Sequence, residues 1–215
     1  MGPPRQDYYR DLHFSAEDRA QNQYREHLGG GNEQWERRGR FQVHFLSRMG
    51  MTPQHRLIDI GCGPIRAGVH FINYLDPGNY YGIDYNPDFI EIAREISNSQ
   101  PALAAKQPTL RVIQDFRFEE IGQCFDFVMV FSVIQHSTNE LATTFFRKLA
   151  PILHAGSRVY ITHARWFRGI IEGTNLQLLR MFSRPEEVEP GLDMSSWGWE
   201  NPLEIYPILE IGRLA

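Results

Sequence analysis

The stretch RLIDIGCGPIRAGVHFINYL, residues 56–75, decides the fold. An apolar strand, LIDI, runs into a glycine turn, GCG, and the turn opens a helix, RAGVHFINYL. Strand, glycine turn and helix in that order form a ligand-binding corner of a parallel sheet, because missing side chains let backbone turn sharply and approach a ligand. A dinucleotide-binding turn reads G-x-G-x-x-G, with the third glycine giving tight helix–strand packing beside a pyrophosphate. Here Gly61 and Gly63 fill the first two places and Arg66 stands in the third. An arginine is too large for that packing role, so the turn predicts a ligand without a pyrophosphate.

Outward from this corner the same texture repeats. YYGID precedes PDFIEIAREI, TLRVIQD precedes a short loop or helix, FDFVMVF precedes NELATTFFRKLAPIL, and SRVYITHA comes last. Short apolar runs alternating with helical patterns predict an α/β fold, a doubly wound, Rossmann-like, mostly parallel sheet with helices on both faces. The runs are apolar throughout, as strands buried on two sides are. Beyond them, IIEGTNLQLLRMF reads as a helix, SRPEEVEPGLDMSSWGWENP as turns, and IYPILEIGRL as a final strand.

Before residue 51 the chain is helical in pattern. Ser15 and Asp18 open SAEDRAQNQYREHL as a capping box, and the glycines at 29–31 permit a hinge. Trp35, Phe41, Phe45 and Met49 fall on one face of a second helix that Gly50 stops. Residues 1–50 are therefore expected to form a helical arm, either a lid or a dimer contact, and residues 51–215 the main domain.

Composition narrows the function. The 215 residues carry a formal charge of -4 and no basic block, so no nucleic-acid footprint is present in the sequence. No apolar run reaches membrane-spanning length and the N-terminus lacks a signal-peptide core, so no membrane association is expected. Two cysteines, Cys62 and Cys124, suit a cytoplasmic protein without structural disulfides. No H-E-x-x-H or C-x-x-C pair gives metal-ligand spacing, and no G-x-S-x-G elbow appears; no metal is expected.

Strand ends supply the candidate ligands. Asp84 ends YYGID, where a carboxylate accepts hydrogen bonds from ribose hydroxyls. Asp115 and Phe116 end the third strand, an acid for an exocyclic adenine amine and an aromatic to cover the ring. A nucleoside without a pyrophosphate, on a doubly wound sheet, points to S-adenosylmethionine. LIDIGCGP, YYGID, QDF and FDFVMVFSVIQH, in this order over residues 35–165, resemble the class I S-adenosylmethionine-dependent methyltransferases. The pattern is similar to a bacterial subgroup with a GCGxxRxG turn, which Trp35, Gly39, Gln42, Leu46, Gly50, Pro53, Asp59, Gly61, Gly63, Arg66, Gly68 and Asp84 fit. Pro64-Ile65 departs from the wider family, where a third glycine often stands at the second of these positions, and implies a stiffer turn.

The resemblance implies that Asp59, Gly61 and Gly63 border the methionine part of the cofactor, with Asp84 on ribose and Asp115 and Phe116 on adenine. Phe131 and Ser132 would line the cofactor and face the substrate, Gln42 would reach the cofactor carboxylate, and Arg66 would contact cofactor or substrate. His136, just past the fourth strand, and His163, at the end of the fifth, are the candidate bases. The expected activity is methyl transfer to a small molecule, by O-methylation of a hydroxyl or carboxyl in bacterial secondary metabolism, by a monomer or homodimer that releases S-adenosylhomocysteine. Methylation of a peptide or other macromolecule, a nicotinamide oxidoreductase, and a non-catalytic S-adenosylmethionine-binding subunit are the rivals.

Overall fold

The computed structural model describes residues 9–28, 31–134, 137–162, 167–197 and 207–214. Short helices α1 (Ala16–Ala20) and α2 (Tyr24–His27) precede the long α3 (Asn32–Arg48). Then follow β1 (Leu57–Ile60), α4 (Gly68–Tyr74), β2 (Tyr80–Asp84), α5 (Pro87–Ser99), α6 (Pro101–Ala104) and β3 (Thr109–Val112). A 3-10 turn at Phe118–Ile121 leads to β4 (Phe125–Val130), α7 (Asn139–Lys148) and β5 (Leu153–Thr162). The chain closes with α8 (Arg168–Glu172), β6 (Leu176–Phe182) and β7 (Ile208–Arg213).

The sheet order is β3-β2-β1-β4-β5-β7-β6. β1 pairs in parallel with both β2 and β4, and β7 is antiparallel to β5 and β6. The expected doubly wound, mostly parallel sheet is the observed one. The order reverses between β1 and β4, so their carboxyl ends form the crevice in which open α/β sheets bind ligands.

Side chains alternate between two apolar layers because successive strand residues point to opposite faces. Leu57 of β1 and Phe127 and Met129 of β4 join Phe41, Phe45, Leu46 and Phe71 on one face. Ile58, Ile60, Val128 and Val130 join Phe145, Phe146 and Ile161 on the other. α3 thus packs into the main core, across the expected division at residue 50. A third cluster, Phe14, Tyr24, Trp35, Phe89 and Ile92, docks the segment before α3 onto α5 and onto Trp35 of α3, and meets the first layer at Ile96.

Two local expectations change, and a third lies outside the described residues. The single helix expected from Ser15 breaks into α1 and α2 at Asn22, whose φ of 57° is left-handed; its capping box, Ser15 with Asp18, is present. IIEGTNLQLLRMF is not one helix: α8 stops at Gly173, and Leu176–Phe182 pairs with β7 instead. That strand partner arrives from the end of the chain, so no local pattern announces it. The hinge glycines Gly29 and Gly30 lie outside the described residues.

Candidate active site

The glycine turn is held from beneath. Gly61 and Cys62 donate their backbone N–H groups to Ile83 O at 2.8 and 3.0 Å, which locks β1's exit to the end of β2. Gly61 has a φ of 74°, and a Cβ there would lie 2.3 Å from Val133 Cγ2. Its bare backbone admits the loop that follows β4. Gly63, at a φ of 52°, donates its N–H to Asp84 Oδ2 at 3.0 Å. The third-glycine packing role has moved to Gly68, at the start of α4. A Cβ there would meet Tyr80 Oη at 2.5 Å and Ile65 Cβ at 2.6 Å. Ile65 itself, in the place where a glycine was absent, takes a left-handed φ of 49°, an outlier for a β-branched residue.

Two carboxylates sit under the turn. Asp84 Oδ1 accepts from Asn86 N at 2.9 Å, so each oxygen accepts at least one backbone N–H, and a carboxylate with about four acceptor sites has capacity left for a hydroxyl. Burial pushes its pKa up to about 6, against the lowering effect of backbone donors on Asn86, Gly63 and Tyr85. Asp59 accepts the Tyr80 phenol at 3.0 Å. Burial raises its pKa to about 7, opposed by the Tyr80 hydrogen bond and the Arg66 charge and reinforced by Asp84. Arg66, also desolvated and beside Arg38, is lowered to about 10. Its Nη1 donates to Leu28 O at 3.2 Å, its guanidinium lies over the Trp35 ring at 5.4 Å, and its buried Nε has no hydrogen-bond partner among the described residues. Gly39 of α3 makes room for this turn, since a Cβ there would lie 2.4 Å from Arg66 O.

These groups open into a cavity of about 400 Å³. It brings together Gln42, Asp59, Gly61, Gly63, Arg66, Asp84, Asp115, Phe116, Phe131 and Ser132, every cofactor-binding candidate read from the sequence. Gln42 is buried, whereas Asp115 and Ser132 are exposed at the rim. Four of the six described non-glycine residues with positive φ stand in strand-end loops here: Ile65, Asp115, Phe116 and Ser132. Strained residues collect where a surrounding structure holds them for function. Thr162 Oγ1 accepts from Ser132 N at 2.7 Å, Lys148 donates to Asp115 O at 3.1 Å, and Phe145 meets Phe116 edge-on at 5.3 Å. The candidate bases His136 and His163 lie outside the described residues.

The cavity has further lining residues: Tyr9, Arg10 and Leu28 from the arm, where the aromatics were expected as a lid or dimer contact, Tyr85 and Ile113 from strand ends, and Leu141 from α7. Tyr85 was within reach of sequence reasoning, being next to Asp84. The arm residues carry no motif, and only tertiary packing delivers them. Among the described residues, no group of three or more His, Cys, Asp or Glu side chains is set to hold a metal ion. No described helix is long and apolar enough to cross a membrane.

Residues 58–159, just under half of the chain, carry the two-glycine turn and the acid at the end of β2 and match the family model of a methyltransferase domain. The fold is that of the class I S-adenosylmethionine-dependent methyltransferases. The putative methyltransferase 235L of Invertebrate iridescent virus 6 is similar to the chain, 26% identical over 121 residues. That match covers 56% of this chain and 42% of the viral protein, so the chain spans well under two thirds of that relative. Magnesium protoporphyrin IX methyltransferase from Synechocystis PCC 6803, solved with bound S-adenosylmethionine, has a similar structure, with a TM-score of 0.63 and 18% identity, covering 96% of this chain and 94% of that one. The mitomycin 7-O-methyltransferase MmcR aligns at a TM-score of 0.55 and 15% identity over 80% of this chain and 54% of its own.

The cavity passes a physical test for S-adenosylmethionine. Its volume lies within the range of about 300–1,000 Å³ usual for small-molecule sites. Asp84 keeps acceptor capacity at the end of β2, and among the described residues no acceptor meets the buried Arg66 Nε.

Proposed function

We propose that this chain methylates a small molecule, through oxygen, with S-adenosylmethionine as donor. The observation that carries the reading is Asp84, a buried carboxylate joined to the Gly63 N–H and facing the cavity. S-adenosylmethionine supplies a methyl group already activated on a sulfonium. The protein's own work is then alignment and exclusion of water, which account for much of the acceleration in such transfers. Asp84 accepts the ribose hydroxyls, Asp115 takes the adenine amine, and Phe116 covers the ring. Gln42 and Arg66 face the carboxylate end, Asp59 and the glycine turn border the methionine chain, and Phe131 and Ser132 face the acceptor.

His136 removes or orients the acceptor proton, with His163 as second candidate. A carboxylate acceptor dispenses with that base. The oxygen preference is fold analogy with the O-methyltransferase neighbour, and the resemblance of the GCGxxRxG turn to a bacterial subgroup supports a role in bacterial secondary metabolism. The two free cysteines suit a cytoplasmic enzyme, monomeric or homodimeric.

The test begins with calorimetric titration of S-adenosylhomocysteine, which should bind where NAD does not. Labelled S-adenosylmethionine is then offered with small hydroxy and carboxy acceptors. Label in an extractable small molecule supports the reading. Label in protein or nucleic acid makes the acceptor macromolecular, and binding without turnover on any acceptor makes the chain a non-catalytic subunit.

A further inference from the structure

Asn86, two residues past Asp84, is 1% exposed and uses its polar groups in three directions. Its backbone N–H donates to Asp84 Oδ1 at 2.9 Å. Its side-chain Oδ1 accepts from Asp88 N at 2.8 Å and so caps α5, with Pro87 in the first turn. Its Nδ2 donates to Tyr9 O at 2.8 Å and to Leu12 O at 3.0 Å. An N-cap needs only an acceptor, which aspartate, serine or threonine supplies as well. The amide hydrogens are what distinguish asparagine here, and both go to the arm.

The arm is fastened further along the same helix. Phe14 N donates to Asp88 Oδ2 at 3.2 Å, and the Arg19 guanidinium donates to Glu91 at 3.0 Å and Glu95 at 2.9 Å. At its far end Leu28 O accepts from Arg66, and Leu28 Cδ1 lies 4.0 Å from where a Gly63 Cβ would be. The segment therefore spans from the residue after the acid loop to the residue after the glycine turn. Tyr9, Arg10 and Leu28 stand on the cavity wall as a result.

We infer that Asn86 is a positioning residue that fastens the N-terminal arm as one wall of the cofactor site, so that cofactor affinity depends on the arm being in place. This rests on the reading of the cavity as an S-adenosylmethionine site. Without its fastening the arm occupies its place only part of the time, and apparent affinity falls by the fraction of time it is there.

Asn86→Asp in the full chain separates the roles. A carboxylate keeps the helix cap and the backbone N–H on Asp84, but has no hydrogen for the Tyr9 and Leu12 carbonyls. Amide hydrogen exchange of residues 10–14 in the ligand-free protein should rise by about tenfold or more, while α5 stays protected. Calorimetry should show S-adenosylhomocysteine binding weakened by about tenfold. Arg19→Ala, which loosens the arm without touching the Asp84 loop, should move both readouts in the same direction. Faster exchange with wild-type affinity overturns the inference, because the arm is then no part of the site. Weaker binding with the arm still protected also overturns it, because the loss then lies in the Asp84 loop. If the wild-type protein binds no S-adenosylhomocysteine, the reading of the cavity fails, and with it the link to cofactor affinity, while the exchange comparison still decides the fastening.

Discussion

Gly61 meets two demands at once, a left-handed φ of 74° and a would-be Cβ 2.3 Å from Val133. Valine is branched at Cβ and gives little ground. Gly61→Ala should therefore destabilise the protein by roughly 2–4 kcal/mol in denaturant titration, combining overpacking with left-handed strain. Adding Val133→Ala should recover part of that loss. Asp84 makes a pH prediction whose sign is set by its raised pKa of about 6. Between the ordinary carboxylate range, about 4, and that value, the folded, ligand-free protein holds a proton that the unfolded chain has lost. Stability contributed by this group therefore falls as pH rises through that window and is level above it; Asp59, at about 7, extends the decline. Cofactor binding runs the opposite way, since ionised Asp84 is the better acceptor, so S-adenosylhomocysteine affinity should fall as pH drops below about 6. Asp84→Asn should weaken binding at least about tenfold at neutral pH, given about 1.5–3 kcal/mol per charged hydrogen bond, and remove that dependence. For His136 the proposed base role gives a kinetic expectation. His136→Ala should lower turnover by about 10²–10⁴-fold, erase the acidic limb of the pH–rate profile, and leave cofactor affinity within a few-fold. A variant that keeps its rate and that limb removes His136 from the mechanism.

At the scale of elements, the arm and α5 behave as one packed unit. Phe14 stacks on Phe89 at 6.2 Å and meets Tyr24 edge-on at 6.3 Å, while Tyr24 meets Trp35 at 5.8 Å. Among the described residues, this cluster joins the first sheet layer only through Ile96 and the shared helix of Trp35. A cluster joined so narrowly opens as a local unit at less cost than global unfolding. Phe14→Ala removes contacts worth about 3–5 kcal/mol for a buried phenylalanine. The loss should appear as faster tryptic cleavage at Arg19 and Arg25, with the main thermal transition little moved. A single cooperative transition displaced by the full amount would instead make the arm integral to the core. α3 behaves differently, because Phe41, Phe45 and Leu46 are buried in the sheet layer and Gly39 seats it against the turn after Arg66.

The whole molecule is a sheet with a crevice at the carboxyl ends of its central strands β1 and β4, and the arm's Tyr9, Arg10 and Leu28 stand in its wall. A ligand that binds only the folded state stabilises it by about 2.7 kcal/mol at a hundred times its dissociation constant. For a chain of this size that corresponds to a rise in Tm of roughly 5–10 °C. S-adenosylhomocysteine should produce that shift in a thermal melt. NAD, which needs the pyrophosphate-packing glycine that Arg66 replaces, should produce none. A shift with NAD and not with S-adenosylhomocysteine would reverse the assignment of the cofactor.

How much was legible locally differs by element. LIDIGCG and YYGID announced β1, its glycine turn and the acid of β2, because strand, turn and helix signals there are contiguous and agree with one another. Asp84, Asp115 and Ser132 could be placed at the carboxyl ends of strands for the same reason. Tertiary structure decided what each glycine is for: Gly61 admits Val133 and Gly68 admits Tyr80, contacts made across 72 and 12 residues of chain. It decided that Leu176–Phe182 is a strand, since its partner is supplied by Ile208–Arg213. It also turned Arg66 from a misplaced third glycine into a clamp on Leu28, and Asn86 from a helix cap into a fastening for the arm. Sequence by itself specified those features in which neighbours along the chain cooperate. Features in which distant segments share one hydrogen bond or one gap in the packing required the folded chain, because nothing in a local pattern records who arrives from elsewhere.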